Sequence, residues 1–573
     1  MSEFSIWLYP LAISALVSLV IYLRNGLYWT WGGCLQQGLI LACAVIGLTS
    51  GHYDIAAKVG WSLFVLFNVL QRLLIVRLNS DLVFLRLQAA MSKAAIVRLL
   101  SWGLPGAFWQ DMCLLVAAFS RQDLDAAENI LDKWRQVKMP QAGREYLASF
   151  EMLGRVIVRD WESIVREFEV SQQLPANPNS GQSILLYQMA SRAYGELGRF
   201  DESVQCLELA NLPAARLTQS TLDTQFMIVF SMCGAVEDLN KLLSRQAKGP
   251  NALPEYARLF WLGRCLTASG DYDEALAAFE KCRKQTPESL TAWHDRLNWQ
   301  MARLLDRQAA AASGQSEAVC LASPDVVARA RRILEKTGRI IELVRPEKTR
   351  PGVLVLSALI VFVYAVTNIF YLLNAPELED LKLILKDFYI LAYSLGVLEG
   401  SRVWAGEWWR LLSYLFLHAN LSHLALNIFA LLWFGKLVEN MYGTPRFLII
   451  YFGSGVLSGV CQILLSPTEL AVGASGAIMG VFGAAAAGMI RLKTVLPANI
   501  RKMELTWMGG LAAAQILLDQ IINFFGRTAK NRGGMPHIAA YAHMGGMLAG
   551  FLIGLALSPA ASKPSLDDDD QKP

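Results

Sequence analysis

Nine long, mainly apolar runs constrain this chain more than any other feature, three before residue 80 and six after residue 350. The first group covers roughly 7–23, 34–50 and 56–78, and the second 353–373, 421–441, 447–465, 472–490, 505–525 and 539–557. Each approaches the ~20 residues that an α-helix needs to cross a ~30 Å hydrocarbon core. The first run is preceded by one acidic residue and no basic one, and it lacks a small-residue cleavage site, so it reads as a span and not as a signal peptide. The third carries Gln71 and Arg72 near its end, where they can snorkel to the interface. A mean hydropathy of +0.34 with 17% charged residues agrees with a polytopic membrane protein.

The middle of the chain, residues 80–345, is rich in Arg, Glu, Asp and Gln, so the expected order is membrane, soluble, membrane. We therefore expect an all-α protein with a three-span segment at 1–79, a soluble helical region at 80–345, a six-span bundle at 346–558 and a solvated, disordered acidic tail at 559–573. A net charge of only +4, without a basic cluster interleaved with aromatics, argues against a nucleic-acid partner. Nine singly scattered cysteines with no CxxC spacing suit a reducing compartment.

Within the soluble region short segments recur at Leu124, Trp161, Phe200, Val236 and Tyr272, spaced by 37, 39, 36 and 36 residues. Gly198, Gly234 and Gly270 precede the last three by two residues, as a turn between antiparallel helices requires, and Ala275, Leu276, Phe279 and Cys282 keep helical spacing. Stacked hairpins make a solenoid. The string ASGDYDEALAAFEKCRKQTPES, Ala268 to Ser289, resembles a tetratricopeptide repeat, with a fair match also from Gly198 to Ala210. That resemblance implies a surface for protein or peptide partners; the competing reading is a spacer between membrane segments. AAAASGQSEA, 309–318, reads as a flexible break before a final basic helix.

Positive charge orients the bundle. Arg345, Lys348 and Arg350 precede the first of its spans, and Arg491, Lys493, Arg501 and Lys502 lie between the fourth and fifth, while Arg527, Lys530 and Arg532 oppose the pattern. The balance puts the helical repeats in the cytoplasm. Tryptophans 404, 408 and 409 in the 47 residues after the first span suggest a loop lying in the membrane interface.

Inside this bundle the stretch AVGASGAIMG places Ser475 among glycines, and His543 lies within the last span, where an ionisable group is expensive. Gly476, Gly480 and Gly483 in one span, and Gly546, Gly550 and Gly554 in the other, offer small faces that let two helices touch. An imidazole beside the hydroxyl could then remove its proton and make it a nucleophile. In HANLSHLALN, His423 and Asn427 are four apart on one helical face and can donate to an oxyanion. A metal site built from His418 and His423 is the weaker reading, since there is no HExxH and no neighbouring carboxylate at ligand spacing.

Together EWWRLLSYLFLHANLSHLALNIFALLWFG, GASG and AHMGGMLAGFLIG, in this order across residues 351–558, resemble the rhomboid family of intramembrane serine proteases. The resemblance implies Ser475 as nucleophile and His543 as general base, a dyad with no aspartate. It implies His423 and Asn427 on the oxyanion side, Trp409 and Arg410 as a scaffolding pair in the first loop, and His418 as a structural loop histidine. Substrates would be single-pass transmembrane proteins cut in or near the membrane, with no cofactor and with membrane lipid around the bundle. The expected location is a bacterial inner (cytoplasmic) membrane. Met479 departs from the family pattern, which often has a tyrosine there stacked on the imidazole. A rhomboid-like chaperone or assembly factor without activity is the alternative; a transporter is disfavoured because no inverted repeat is visible.

Overall fold

Apolar periodicity and well-placed turns carry nearly all of this chain into helices. The computed structural model describes residues 3–24, 27–50, 52–83, 85–172, 181–210, 218–247, 252–313, 322–346, 349–374, 394–529 and 539–560. Among them there is no strand, and the one extended pairing is an isolated antiparallel bridge between Leu398 and Ala471. The chain forms two compact units, Met1–Leu212 with Ser220–Glu335, and Pro213–Gln219 with Lys336–Pro573. The acidic tail from 561 onward lies outside the described residues.

The first unit begins with apolar helices at Glu3–Arg24 and Leu27–Ser50. A third, Tyr53–Phe64, continues through a π turn at Val65–Leu70 into Gln71–Val83. Leu8, Leu11, Ile40, Ala44 and Phe67 close their shared core. Thr30–Gly47 and Tyr53–Leu82 are long and apolar enough to span a membrane. Polar side chains within them find acceptors: Gln37 donates to Asn68 at 3.1 Å, Gln36 to the Leu100 carbonyl and Gln71 to Ser101. Gln71 is thus held by a partner instead of snorkelling.

Five helical hairpins follow. Their second helices are Leu124–Arg135, Trp161–Gln172, Phe200–Ala210, Val236–Gln246 and Tyr272–Gln285, each starting where the repeat is marked in the sequence. The residue two positions upstream turns left-handed every time, with φ of 60° at Gln122, 63° at Arg159, 79° at Gly198, 71° at Gly234 and 93° at Gly270. Glycine reaches that region without a Cβ clash, so three turns carry the visible marker and two use a costlier residue. The proposed break at 309–318 is corrected in its first part, because Thr291–Ala312 is one helix that runs through the alanines, the strongest helix formers; residues 314–318 lie outside the described residues.

The second unit holds the expected six helices. They are Pro351–Asn374, the run Leu421–Tyr442 with a π turn at Leu431–Gly435, Thr444–Leu465, Ser475–Arg491, Ala498–Ala529 and Ala540–Ala556. The helices of Ser475 and His543 have 17 residues each, shorter than their apolar runs because Val472–Ala474 and Ala539 remain outside the helix. Fully buried Glu439 accepts from the amides of Gly352 at 2.8 Å and Val353 at 2.9 Å and from the Thr444 hydroxyl at 2.7 Å. A carboxylate there caps the first turn of the Pro351 helix and ties it to the next one.

The glycine faces meet as a seam. A Cβ on Gly546 would stand 2.1 Å from the Gly476 carbonyl oxygen, and one on Gly550 would stand 1.9 Å from that of Gly480. In the first loop Trp404, Trp408 and Trp409 are exposed, whereas Arg410 is buried, donating to Glu407 and to the Val397 carbonyl at 2.9 Å and stacking on Trp409. The Trp-Arg pair thus braces the loop.

The turn geometry makes a direct prediction. At Gly270 an added Cβ meets nothing within 4 Å, so Gly270→Ala should cost only the left-handed strain of about 1 kcal/mol. Hydrogen exchange of amides in 255–285 should then quicken about fivefold. The opposite change, Gln122→Gly, should slow exchange in its own hairpin, since relief of strain exceeds the glycine entropy cost.

Candidate active site

The position of Ser475 is set by the loop before it. Leu398 and Ala471 exchange backbone hydrogen bonds of 3.0 and 3.1 Å, and the Gly473 amide donates to the Tyr414 carbonyl at 2.9 Å. Tyr414 is itself anchored by its hydroxyl, which donates to the Gly455 carbonyl at 2.7 Å. Gly473 takes φ +116°, and a Cβ there would lie 2.6 Å from His423 Cε1. Only glycine can make this turn against that ring. The helix then starts at Ser475, so its hydroxyl lies at a helix N-terminus, where free amides and the helix dipole favour negative charge.

His543 lies in the first turn of the Ala540–Ala556 helix, which the glycine seam brings against the Ser475 helix. Its Nε2 is 2.8 Å from Ser475 Oγ. Its Nδ1 is 2.7 Å from Asp519 Oδ2, on the long helix Ala498–Ala529. A carboxylate oxygen that accepts from Nδ1–H leaves Nε2 free to accept from the serine hydroxyl. That is the tautomer a general base requires. Asp519 is 1% exposed and its Oδ1 accepts from Gln515 Nε2 at 2.8 Å, one turn earlier.

The structure adds a carboxylate, Asp519, beside the expected pair of Ser475 and His543. Three groups line up, Ser475, His543 and Asp519, two of them buried. The missed signal was available: Asp519 interrupts the apolar run AAAQILLDQIINFF, and a carboxylate in a span is as costly as the histidine that was noticed. Met479 is one helical turn beyond Ser475 and half-buried. With Nδ1 bonded to Asp519, the ring has a positioning contact independent of that residue.

His423 and Asn427 are brought beside the same loop: the point where a Gly473 Cβ would sit is 2.9 Å from His423 Nε2 and 3.7 Å from Asn427 Nδ2. Asn420 caps the His423 amide at 2.8 Å, and Asn427 uses one amide hydrogen on the His423 carbonyl at 3.1 Å. His418 is buried, with Nδ1 at 3.3 Å from the Phe416 carbonyl and its ring 5.2 Å from that of His423. Among the described residues no third His, Cys, Asp or Glu completes a ligand set with them.

Gly473→Ala adds both backbone strain and a clash with His423. It should slow labelling of Ser475 by a fluorophosphonate by at least about tenfold, a loss of more than ~1.4 kcal/mol in transition-state stabilisation. Labelling stoichiometry on intact protein in detergent measures this.

Comparison with known proteins agrees with this arrangement. A Rhomboid domain model matches residues 405–560, and tetratricopeptide repeat models match 256–289 and 185–211. The rhomboid protease GluP of Bacillus subtilis is 39% identical over 165 residues, 29% of this chain and 29% of GluP. YdcA of the same organism, provisionally named a rhomboid protease, is 32% identical over 165 residues, covering 29% of this chain and 71% of YdcA. The mitochondrial RHOMBOID-like protein 6 of Arabidopsis thaliana is 31% identical over 164 residues, or 28% of this chain and 48% of that protein. The chain thus spans under a third of GluP and under half of the plant relative, but most of YdcA. With six helices, a serine-histidine contact across a glycine seam and a relative largely covered by the match, this integral membrane protein belongs to the rhomboid family.

Proposed function

We propose that the chain is an intramembrane serine protease that hydrolyses a peptide bond in or near the transmembrane segment of single-pass membrane proteins. The observation that carries this reading is the continuous relay of 2.8 Å from Ser475 to His543 and 2.7 Å from His543 to Asp519. Ser475 Oγ attacks the scissile carbonyl carbon while His543 Nε2 takes its proton. Asp519 keeps the ring in the reactive tautomer and stabilises the imidazolium that forms. The oxyanion accepts hydrogen bonds from Asn427, His423 and the free amides at the start of the Ser475 helix, each good donor being worth ~3 kcal/mol. His543 then protonates the leaving amine, and water, deprotonated by the same nitrogen, attacks the acyl-enzyme to release the second product.

The repeat region supplies a surface for protein or peptide partners, and the charge bias supports a cytoplasmic location for it in a bacterial cytoplasmic membrane. No cofactor takes part in the proposed steps.

Cleavage of a reconstituted single-pass substrate is the decisive measurement. Ser475→Ala should abolish it; equal processing by this variant would leave only a recognition role for the fold. Asp519→Asn should lower kcat by about 10²–10⁴-fold with KM changed little, because the amide no longer enforces the Nδ1 proton. A merely structural role for Asp519 would instead lower the melting temperature in detergent and leave the turnover of the folded fraction unchanged.

A further inference from the structure

Apart from the membrane site, the repeat unit contains a concentration of charge that none of the proposed chemistry uses. Two adjoining cavities, of about 230 and 110 Å³, share Glu196, Arg264 and Gln300 in their walls. Six arginines line them, Arg159, Arg192, Arg264, Arg296, Arg303 and Arg307, against two carboxylates, Glu196 and Asp295. The groups come from separate hairpins and from the helix Thr291–Ala312, so folding of the solenoid assembles them.

Glu196 is already committed. Both its oxygens accept from Arg264, at 2.8 and 3.0 Å, in a bidentate pair that leaves Arg264 only 8% exposed. Burial alone would raise the Glu196 carboxyl, but Arg264, Arg192 and Arg303 outweigh it and bring it down to about 2. The other guanidiniums are less well served. Arg192 Nε stands 4.0 Å from Glu196 and Arg303 Nη1 3.7 Å, both beyond hydrogen-bond reach. Arg296 lies over Phe260 at 4.5 Å, Trp261 at 5.1 Å and Trp293 at 5.4 Å, and Arg159 lies over Trp299 at 4.2 Å. Aromatic faces hold a guanidinium by its plane and do not use its N–H edge. Accordingly Arg192 Nε and Arg296 Nη2 are buried without a hydrogen-bond partner.

Buried donors and like charges in this number are costly unless an anion joins them. We propose that these two adjoining cavities together form a binding site for an oxyanionic group, carboxylate or phosphate, seated between the N–H edges of Arg192 and Arg296 in one and Arg303 in the other. The stacked tryptophans and phenylalanine pre-set the guanidiniums, and the Arg264–Glu196 pair forms the floor. The charge excess in the walls excludes cations and selects oxyanions, which match the fork of donors that arginine presents. The site stands independently of the protease reading, since it lies wholly in the repeat unit.

Titration calorimetry of the full chain in detergent, with inorganic phosphate in one arm and a capped hexaglutamate peptide in the other, tests the site. We expect saturable binding of at least one probe, at one per chain, weakened about tenfold or more in Arg296→Met. Tighter binding of phosphate would identify a small phosphorylated ligand, and tighter binding of the peptide a carboxylate-bearing chain. Arg303→Gln, at a position whose side chain is 36% exposed and safe for folding, should also weaken binding, whereas Arg329→Gln, on the surface pair with Glu208, should not. No saturable binding of either probe, or equal affinity in all three variants, would overturn the proposal.

Discussion

The close approach of the Ser475 and His543 helices is the contact on which the rest of the membrane unit depends. Where Gly546 and Gly550 face the carbonyls of Gly476 and Gly480, no side chain larger than hydrogen fits between the backbones. In lipid the hydrophobic effect does not press helices together, so dispersion across a small-residue face has to do it. The same approach brings an imidazole to 2.8 Å from a serine hydroxyl. Packing and chemistry are therefore one constraint here: a methyl group in the seam would separate the helices and the reacting atoms together.

Around that seam several buried polar groups have partners ready. Ser458 donates to the Ala542 carbonyl at 2.8 Å, just before His543, and Gln462 accepts from the Ala542 amide at 3.1 Å. Glu439 caps the Pro351 helix. Asp519 has both oxygens occupied, by His543 and Gln515. A carboxylate in a membrane span is tolerated when it is bonded in this way, and it then acts on whatever bonds it. For His543 that means a fixed tautomer.

The repeat region follows different physics. Its hairpins are regular because each left-handed turn is local, and the second helices start two residues after it. Its charged interior is non-local: Arg192, Arg264 and Arg296 are 72 and 32 residues apart in sequence, and the solenoid stacks them around one glutamate. Periodicity exposes the scaffold of such a domain but says nothing of which side chains its stacking will gather.

Much of the fold was legible in the residues alone. The six apolar runs of the bundle, the five hairpin starts and the pairing of Ser475 with His543 depend on local hydrophobicity, turn chemistry and small faces, which a linear sequence displays. Two glycine-free turns, at Gln122 and Arg159, escaped because the backbone there adopts a conformation its residue type does not advertise. The start of the Ser475 helix shifted because the bridge between Leu398 and Ala471 holds the preceding chain extended, a pairing across distant segments. Asp519 was visible as an anomaly, but its partner was not, since only tertiary packing decides which side chain faces a buried carboxylate. The sequence by itself determined the elements and the pairing of Ser475 with His543; the tertiary structure alone decided the contact of Asp519 with that pair and the arginine-lined cavities, because both are made by contacts between helices that no local pattern encodes.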